Sequence, residues 1–229
     1  MSKLLLQIIT LSLGMVNSFL VSEGQKNLLL VDTGNPGDGR KILNKVEEAG
    51  YRPEDISLII LTHGHRDHAG GLGELNAELN ARILVGEADA GIVTGKESPE
   101  LVPVGIKGRF SKAIVSLIPD RRPEMEGVNL DEIGEGEVGL YGFGIDGKIV
   151  STPGHTGGSL SVLLEDGPAI VGDLVMPKFL FFGRADLPIF AEDRKSLKSS
   201  IEKILAAEPS KIYASHGGPY TPDQLRRLL

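Results

Sequence analysis

The chain has 229 residues, 41% apolar and 24% charged, which is ample for a sizeable core and excludes a disordered polymer. Its 24 basic and 31 acidic side chains give a net charge of −7, so bulk charge excludes a non-specific nucleic-acid or anionic-membrane binder, though not a local basic patch. There is no cysteine, which removes disulfide scaffolds, thiolate-held zinc, iron–sulfur clusters and cysteine nucleophiles; a metal would need the five histidines and carboxylates.

The length suits one α/β domain over residues 1–229. Lys3 precedes an apolar stretch from Leu4 to Val21, interrupted by Gln7, Thr10, Ser12, Asn17 and Ser18, with no small-residue cleavage site after it. It reads as part of the mature domain, and a cytoplasmic location is expected. Residues 4–13 and 16–22 read as strands bent at Gly14, and residues 27–31 as a buried strand ending in Asp32-Thr33-Gly34. Residues 40–49 carry Ile42, Leu43 and Val46 at helical spacing, with Gly50 as the stop. Residues 56–61 are nearly all apolar, as for a strand covered on both faces. A helix is expected over 68–79, a strand over 82–85 and a helix over 87–93.

The middle is less regular: a loop over 95–104, a helix over 109–118, and a loop with a short strand over 121–136. Strand-like segments follow at 138–144, 148–151, 160–165 and 169–171, then a helix over 196–207 stopped before Pro209, a strand at 211–214 and a helix over 222–229. β-rich blocks alternate with βα units in both halves. A four-layer αβ/βα sandwich accounts for this order, although composition alone does not select it.

The segment Thr62-His63-Gly64-His65-Arg66-Asp67-His68 places three histidines and an aspartate just after a buried strand, where sites gather in α/β sheets. His63 and His65 are two apart and point the same way in an extended chain, whereas Asp67 and His68 lie where the chain turns into a helix and can face a second metal. Neutral imidazole with carboxylate suits zinc and related first-row ions. The bland reading, a polar surface loop, fits a cluster this dense poorly. His155 lies in Thr152-Pro153-Gly154-His155-Thr156-Gly157-Gly158 and His216 in Ala214-Ser215-His216-Gly217-Gly218, both glycine-rich turns after strands. Taken singly, each is better read as a turn residue, and Asp173 in Val171-Gly172-Asp173 as a turn or cap. Beside the first cluster, the ligand reading is the stronger one for the two histidines.

The cluster at 63–68, followed by PGHT, GD and SHG, resembles the metallo-β-lactamase-fold metallohydrolases, in particular glyoxalase II-like and short uncharacterised branches. Val31-Asp32-Thr33-Gly34 and Val16-Asn17-Ser18-Phe19-Leu20 resemble that family's early strand–turn motif and first hairpin, and the elements keep the family's order from about residue 16 to about 218. The resemblance implies two mixed sheets flanked by helices and a dinuclear site. His63, His65 and His155 would hold one divalent ion, Asp67, His68 and His216 the other, and Asp173 would bridge them. Zinc is the expected metal, with manganese or iron as alternatives. Asp32 would orient the ligand loop or serve only the turn. A water between the metals would attack a carbonyl or phosphoryl centre, with Asp67 also orienting it.

Fold does not fix substrate. The β-lactamases of the commonest subclass use a cysteine ligand that this chain lacks, which argues against antibiotic hydrolysis as its main role. Glyoxalase II adds a C-terminal helical glutathione-binding domain for which little chain remains after His216, though shorter relatives lack it. Homoserine lactonases commonly have Tyr where Met176 stands. The leading expectation is hydrolysis of a small acyl substrate: a thioester, ester or lactone. Alternatives are phosphodiester hydrolysis at the same site, a mononuclear iron persulfide dioxygenase, and a non-enzymatic metal-binding protein. Ile106, Phe110, Ile114, Leu117, Phe179 and Phe181 form either an apolar lid or, the preferred reading, core or homodimer packing. Arg184 and Asp186 are read as an ion pair fixing a loop over 183–188, or else as substrate contacts.

Overall fold

The computed structural model describes residues 6–24, 26–115, 117, 128–134, 136–165, 167–179 and 182–229. The first half runs β1 (Gln7–Ser12), β2 (Asn17–Ser22), β3 (Leu28–Val31), α1 (Gly39–Glu48), β4 (Ile56–Ile60), α2 (Arg66–Ala69), α3 (Leu72–Glu78), β5 (Arg82–Gly86), α4 (Ala90–Val93), α5 (Gly105–Val115) and β6 (Asp131–Ile133). Then come β7 (Glu137–Gly139), β8 (Gly147–Ser151), β9 (Leu160–Leu164), β10 (Pro168–Ile170), β11 (Met176–Phe179), β12 (Phe182–Asp186), α6 (Arg194–Ala206), β13 (Lys211–Tyr213) and α7 (Pro222–Arg226).

One sheet has the order β1-β2-β3-β4-β5-β6, and a second β13-β10-β9-β8-β7. In the first, β1–β2 and β2–β3 are antiparallel and β3 through β6 parallel. In the second, β10–β13 is the parallel pair. Side chains alternate across each strand, and that alternation sorts the core into three layers between four. On β3, Leu28 and Leu30 join Ile42, Val46, Leu72 and Leu75 under α1 and α3. Leu29 and Val31 instead meet Ile149, Val162 and Ile170 between the sheets. On the far side, Val150, Ala169 and Ile212 pack against Leu197, Ile201 and Ile204 of α6. Each such fully buried aliphatic side chain contributes roughly 1.5–3 kcal/mol. Asp193 starts α6 by accepting from the amides of Lys195 and Ser196 at 2.9 and 3.3 Å.

This is the expected four-layer arrangement, with local corrections. The helix expected over 68–79 is two helices, because Gly70 and Gly71 lie against Pro36 and the Thr33 carbonyl, where an added Cβ would sit 2.3 Å from either. The strand expected over 138–144 stops at Gly139; Tyr141–Phe143 is a 3-10 turn closed by Gly144 at φ +74°. The segment 183–188 is not a loop, since most of it is β12, hairpinned to β11. Among the described residues Arg184 makes no ion pair with Asp186, whose carboxylate accepts from the Leu187 amide. Helix α5 begins four residues before its expected start, and Ile106, Phe110, Leu117 and Phe179 are exposed at 87, 70, 82 and 54%, so they are not core. Phe181, the Ile114 side chain, residues 4 and 5, and 121–127 lie outside what is described.

Candidate metal centre

Every candidate ligand sits just beyond the C-terminal end of a strand: His63, His65, Asp67 and His68 after β4, His155 after β8, Asp173 after β10, and His216 after β13. The two sheets bring these ends together. Leu160 N donates to the Thr62 carbonyl at 2.7 Å, and Ser215 N to the Gly172 carbonyl at 3.1 Å. Gly172 has φ +55°, and a Cβ there would stand 2.7 Å from the Thr62 side chain, so the turn presenting Asp173 needs glycine.

Three groups of ligand atoms converge within 4.8 Å: His63, His65 and His155; His63, His68 and Asp173; and Asp67, His68 and His216. His65 Nδ1 lies 3.0 Å from the Nε2 atoms of both His63 and His155. His216 Nε2 is 3.3 Å from Asp67 Oδ2 and His68 Nε2 is 3.7 Å from Asp67 Oδ1. The Asp173 carboxylate stands between the groups, 3.6 Å from His68, 3.6 Å from His155 and 3.5 Å from His216. The structure thus brings together all the residues expected as ligands.

The outward ring nitrogens of four histidines are held, while that of His65, Nε2, is buried without a hydrogen-bond partner. His68 Nδ1 donates to Asp32 at 2.8 Å, His155 Nδ1 to the Phe190 carbonyl at 2.9 Å and His216 Nδ1 to the Met15 carbonyl at 2.7 Å. His63 Nδ1 is 3.1 Å from Thr62 Oγ1, which itself donates to Asp32 at 2.8 Å. With Nδ1 protonated, these rings turn a bare Nε2 lone pair inward. The 3.0 Å separations of His65 Nδ1 from His63 Nε2 and His155 Nε2 are close to the about 3.3 Å between nitrogens around a tetrahedral zinc at ordinary Zn–N lengths. His68 Nε2 and Asp173 Oδ1 are buried with no hydrogen-bond partner. The donor set therefore fits divalent cations.

Electrostatics divide the cluster. Burial, reinforced by neighbouring imidazoles, pushes His63 well below its ordinary value and His65 to about 3. Burial also takes His155 to about 4 despite the Phe190 carbonyl. Burial opposes charge on His68 and His216 too, but Asp173 and Asp67 outweigh it, with Asp32 adding to the effect on His68, and lift them to about 10 and about 9. Against the cost of its enclosure, His68 and His216 hold the Asp67 carboxyl well below the usual range.

Asp32 is more than a turn residue. Its buried carboxylate accepts from the Thr62 amide at 2.7 Å, Thr62 Oγ1 at 2.8 Å, Ser215 Oγ at 2.9 Å and His68 Nδ1, on a backbone at φ +61°. A second buried carboxylate, Asp89, escaped the sequence reading. It accepts from Gly64 N at 2.7 Å, Thr156 Oγ1 at 2.9 Å and Gly158 N at 2.9 Å. Burial raises its pKa. Nothing near Asp89 in the sequence marks it, and the Met15 and Phe190 carbonyls carry no side-chain signal at all.

The family model of the metallo-β-lactamase superfamily matches residues 11–216. The chain belongs to this superfamily. It is a metallohydrolase at that level of description. A probable metallo-hydrolase of Methanocaldococcus jannaschii is 31% identical over 205 residues, covering 88% of this chain and 87% of the relative. A probable metallo-hydrolase of Bacillus subtilis is 27% identical over 215 residues, covering 89% and 80%. The hydroxyacylglutathione hydrolase GloC of Haemophilus influenzae is 28% identical over 219 residues, covering 94% and 92%. Among solved structures, the Rm3 metallo-β-lactamase superposes with a TM-score of 0.67 at 23% identity, covering 93% of this chain and 77% of that one, a likeness of fold alone. Among the described residues no helix of this superfamily member is long and apolar enough to cross a membrane.

Proposed function

We propose that this protein is a dinuclear metal-dependent hydrolase of a small acyl substrate, a thioester, ester or lactone. The carrying observation is the inward convergence of imidazole and carboxylate atoms, with the outward nitrogens of four rings occupied and His68 Nε2 and Asp173 Oδ1 left without partners. His63, His65 and His155 would hold one ion, Asp67, His68 and His216 the other, with Asp173 between them. When bound, the ions, zinc in the first instance, supply Lewis acidity to a scissile carbonyl and lower the pKa of water. Asp67 lies against His216 and His68, well placed to accept a hydrogen bond from the attacking water and orient it. Asp32 and the carbonyls of Phe190 and Met15 fix the rings, so little reorganisation is needed when the substrate arrives. The similarity to a hydroxyacylglutathione hydrolase over nearly the whole of both chains favours the acyl class.

The test is metal analysis of protein purified without added metal, followed by stripping and a titration of Zn²⁺ or Mn²⁺ against hydrolysis of a thioester and a bis-phosphodiester. About two ions per chain, with thioester hydrolysis tracking occupancy, is the expected result. Turnover of the phosphodiester alone refutes the acyl assignment. A single iron with oxygen uptake on a persulfide refutes the hydrolase.

A further inference from the structure

Two buried carboxylates brace the cluster, at opposite ends. Asp32 ties Thr62, His68 and Ser215, on the side where Asp67, His68 and His216 meet. Asp89, in the turn after β5, ties the other side. Its Oδ2 accepts from Gly64 N, the amide between His63 and His65, at 2.7 Å and from Thr156 Oγ1 at 2.9 Å. Its Oδ1 accepts from Gly158 N at 2.9 Å. One side chain therefore joins the turn carrying His63 and His65 to the turn carrying His155, although 90 residues separate His65 from His155.

Three donors converge on two oxygens, which only an acceptor-only group satisfies; an amide in its place turns an NH₂ toward at least one donor. Asp89 is 1% exposed, and among the described residues no basic side chain pairs with it. An unpaired buried carboxylate is costly, so a core side chain would serve a purely packing role better. The surrounding backbone is shaped to fit it. A Cβ on Gly158 would lie 2.5 Å from Asp89, and one on Gly86 would lie 2.0 Å from the Gly158 carbonyl.

We infer that Asp89 is a positioning residue for metal binding: it sets the spacing of the His63–His65 turn against the His155 turn, and with it the affinity of the three-histidine group for a divalent cation. The inference rests on the metal reading of the cluster. Its readout is binding, not turnover. The full chain, stripped with a chelator, is titrated with Co²⁺ against a competitor of known affinity, and absorption bands report the two groups. The three-histidine bands are assigned by their loss in His155→Ala. Asp89→Asn is expected to weaken the three-histidine group by about 10–100-fold while the Asp67, His68 and His216 group changes less than about 3-fold. Thr156→Val, which removes one donor and keeps the carboxylate, is expected to give a smaller shift at the same group, and it decides the matter if Asp89→Asn does not fold. Equal weakening of both groups with a matching fall in the metal-free Tm means a merely structural role and overturns the inference. So does an unchanged titration in a protein whose wild type binds two ions. A wild type that binds no divalent ion overturns the proposed function, and this inference with it.

Discussion

Replacing Asp32 with alanine strips four donors of one acceptor group. Thr62 N and His68 Nδ1 then lie in a fully buried site with nothing to accept them, whereas the Thr62 and Ser215 hydroxyls can rotate away. Each stranded donor costs about 1–3 kcal/mol. Position 32 also has φ +61°, which aspartate and asparagine tolerate and alanine does not, adding roughly 1–2 kcal/mol. Asp32→Ala is therefore expected to lose about 3–8 kcal/mol, a large part of the roughly 5–15 kcal/mol of an ordinary domain. Asp32→Asn keeps one acceptor and the backbone preference, and should lose about half as much. Urea denaturation of the stripped protein at neutral pH measures both. In holo protein, the Asp67, His68 and His216 group should lose affinity by about 10–100-fold, because His68 is no longer held in one tautomer. A loss under about 1 kcal/mol in Asp32→Ala, or equal losses in the two variants, would refute the hub reasoning.

The stripped protein should be most stable near pH 6.5. His68 and His216, raised to about 10 and about 9, contribute stability that is full below the unfolded value and lost as pH rises; His65 and His155, lowered to about 3 and about 4, oppose folding as pH falls below it. A Tm profile of metal-free protein that rises steadily from pH 6.5 to 9 would contradict this. Gly86→Ala pushes a methyl group into the Gly158 carbonyl and should lower stability by about 2–4 kcal/mol, read by thermal unfolding, while Gly142→Ala, with open space around it, should change it by less than about 1 kcal/mol. Leu30→Ala, in the layer under α1, should cost about 2–5 kcal/mol in the same assay with metal stoichiometry unchanged.

The ligand histidines were legible because they sit in short turns after apolar strands, a pattern few structural roles demand. The layering was legible only as an order of elements: Leu28 to Val31 is apolar throughout, so its alternation between two cores has no polar residue to mark it. The β11–β12 hairpin was missed because Pro177 and the glycine at 183 argue against strand pairing, and pairing resumes only through an irregular register between Pro177 and Phe179. The apolar residues of α5 were assigned to packing because burial is the ordinary fate of Ile and Phe; the structure buries Gly108 on that helix and exposes Ile106 and Phe110. Of what orients the rings, Asp32 was legible as one of two readings of that residue, but the Phe190 and Met15 acceptors were not, since they are main-chain carbonyls far along the chain from the rings they hold.

The ligand turns come from both sheets, with His65 and His155 90 residues apart and Met15 reaching His216 across 201. In a chain without cysteine, ions held there would act as its cross-links. Each would close long loops whose closure entropy grows only slowly with length, so a distant tether is little dearer than a near one. Resistance to unfolding would then follow free metal concentration as RT ln(1 + [M]/Kd), making the molecule's lifetime a reading of the metal supply around it.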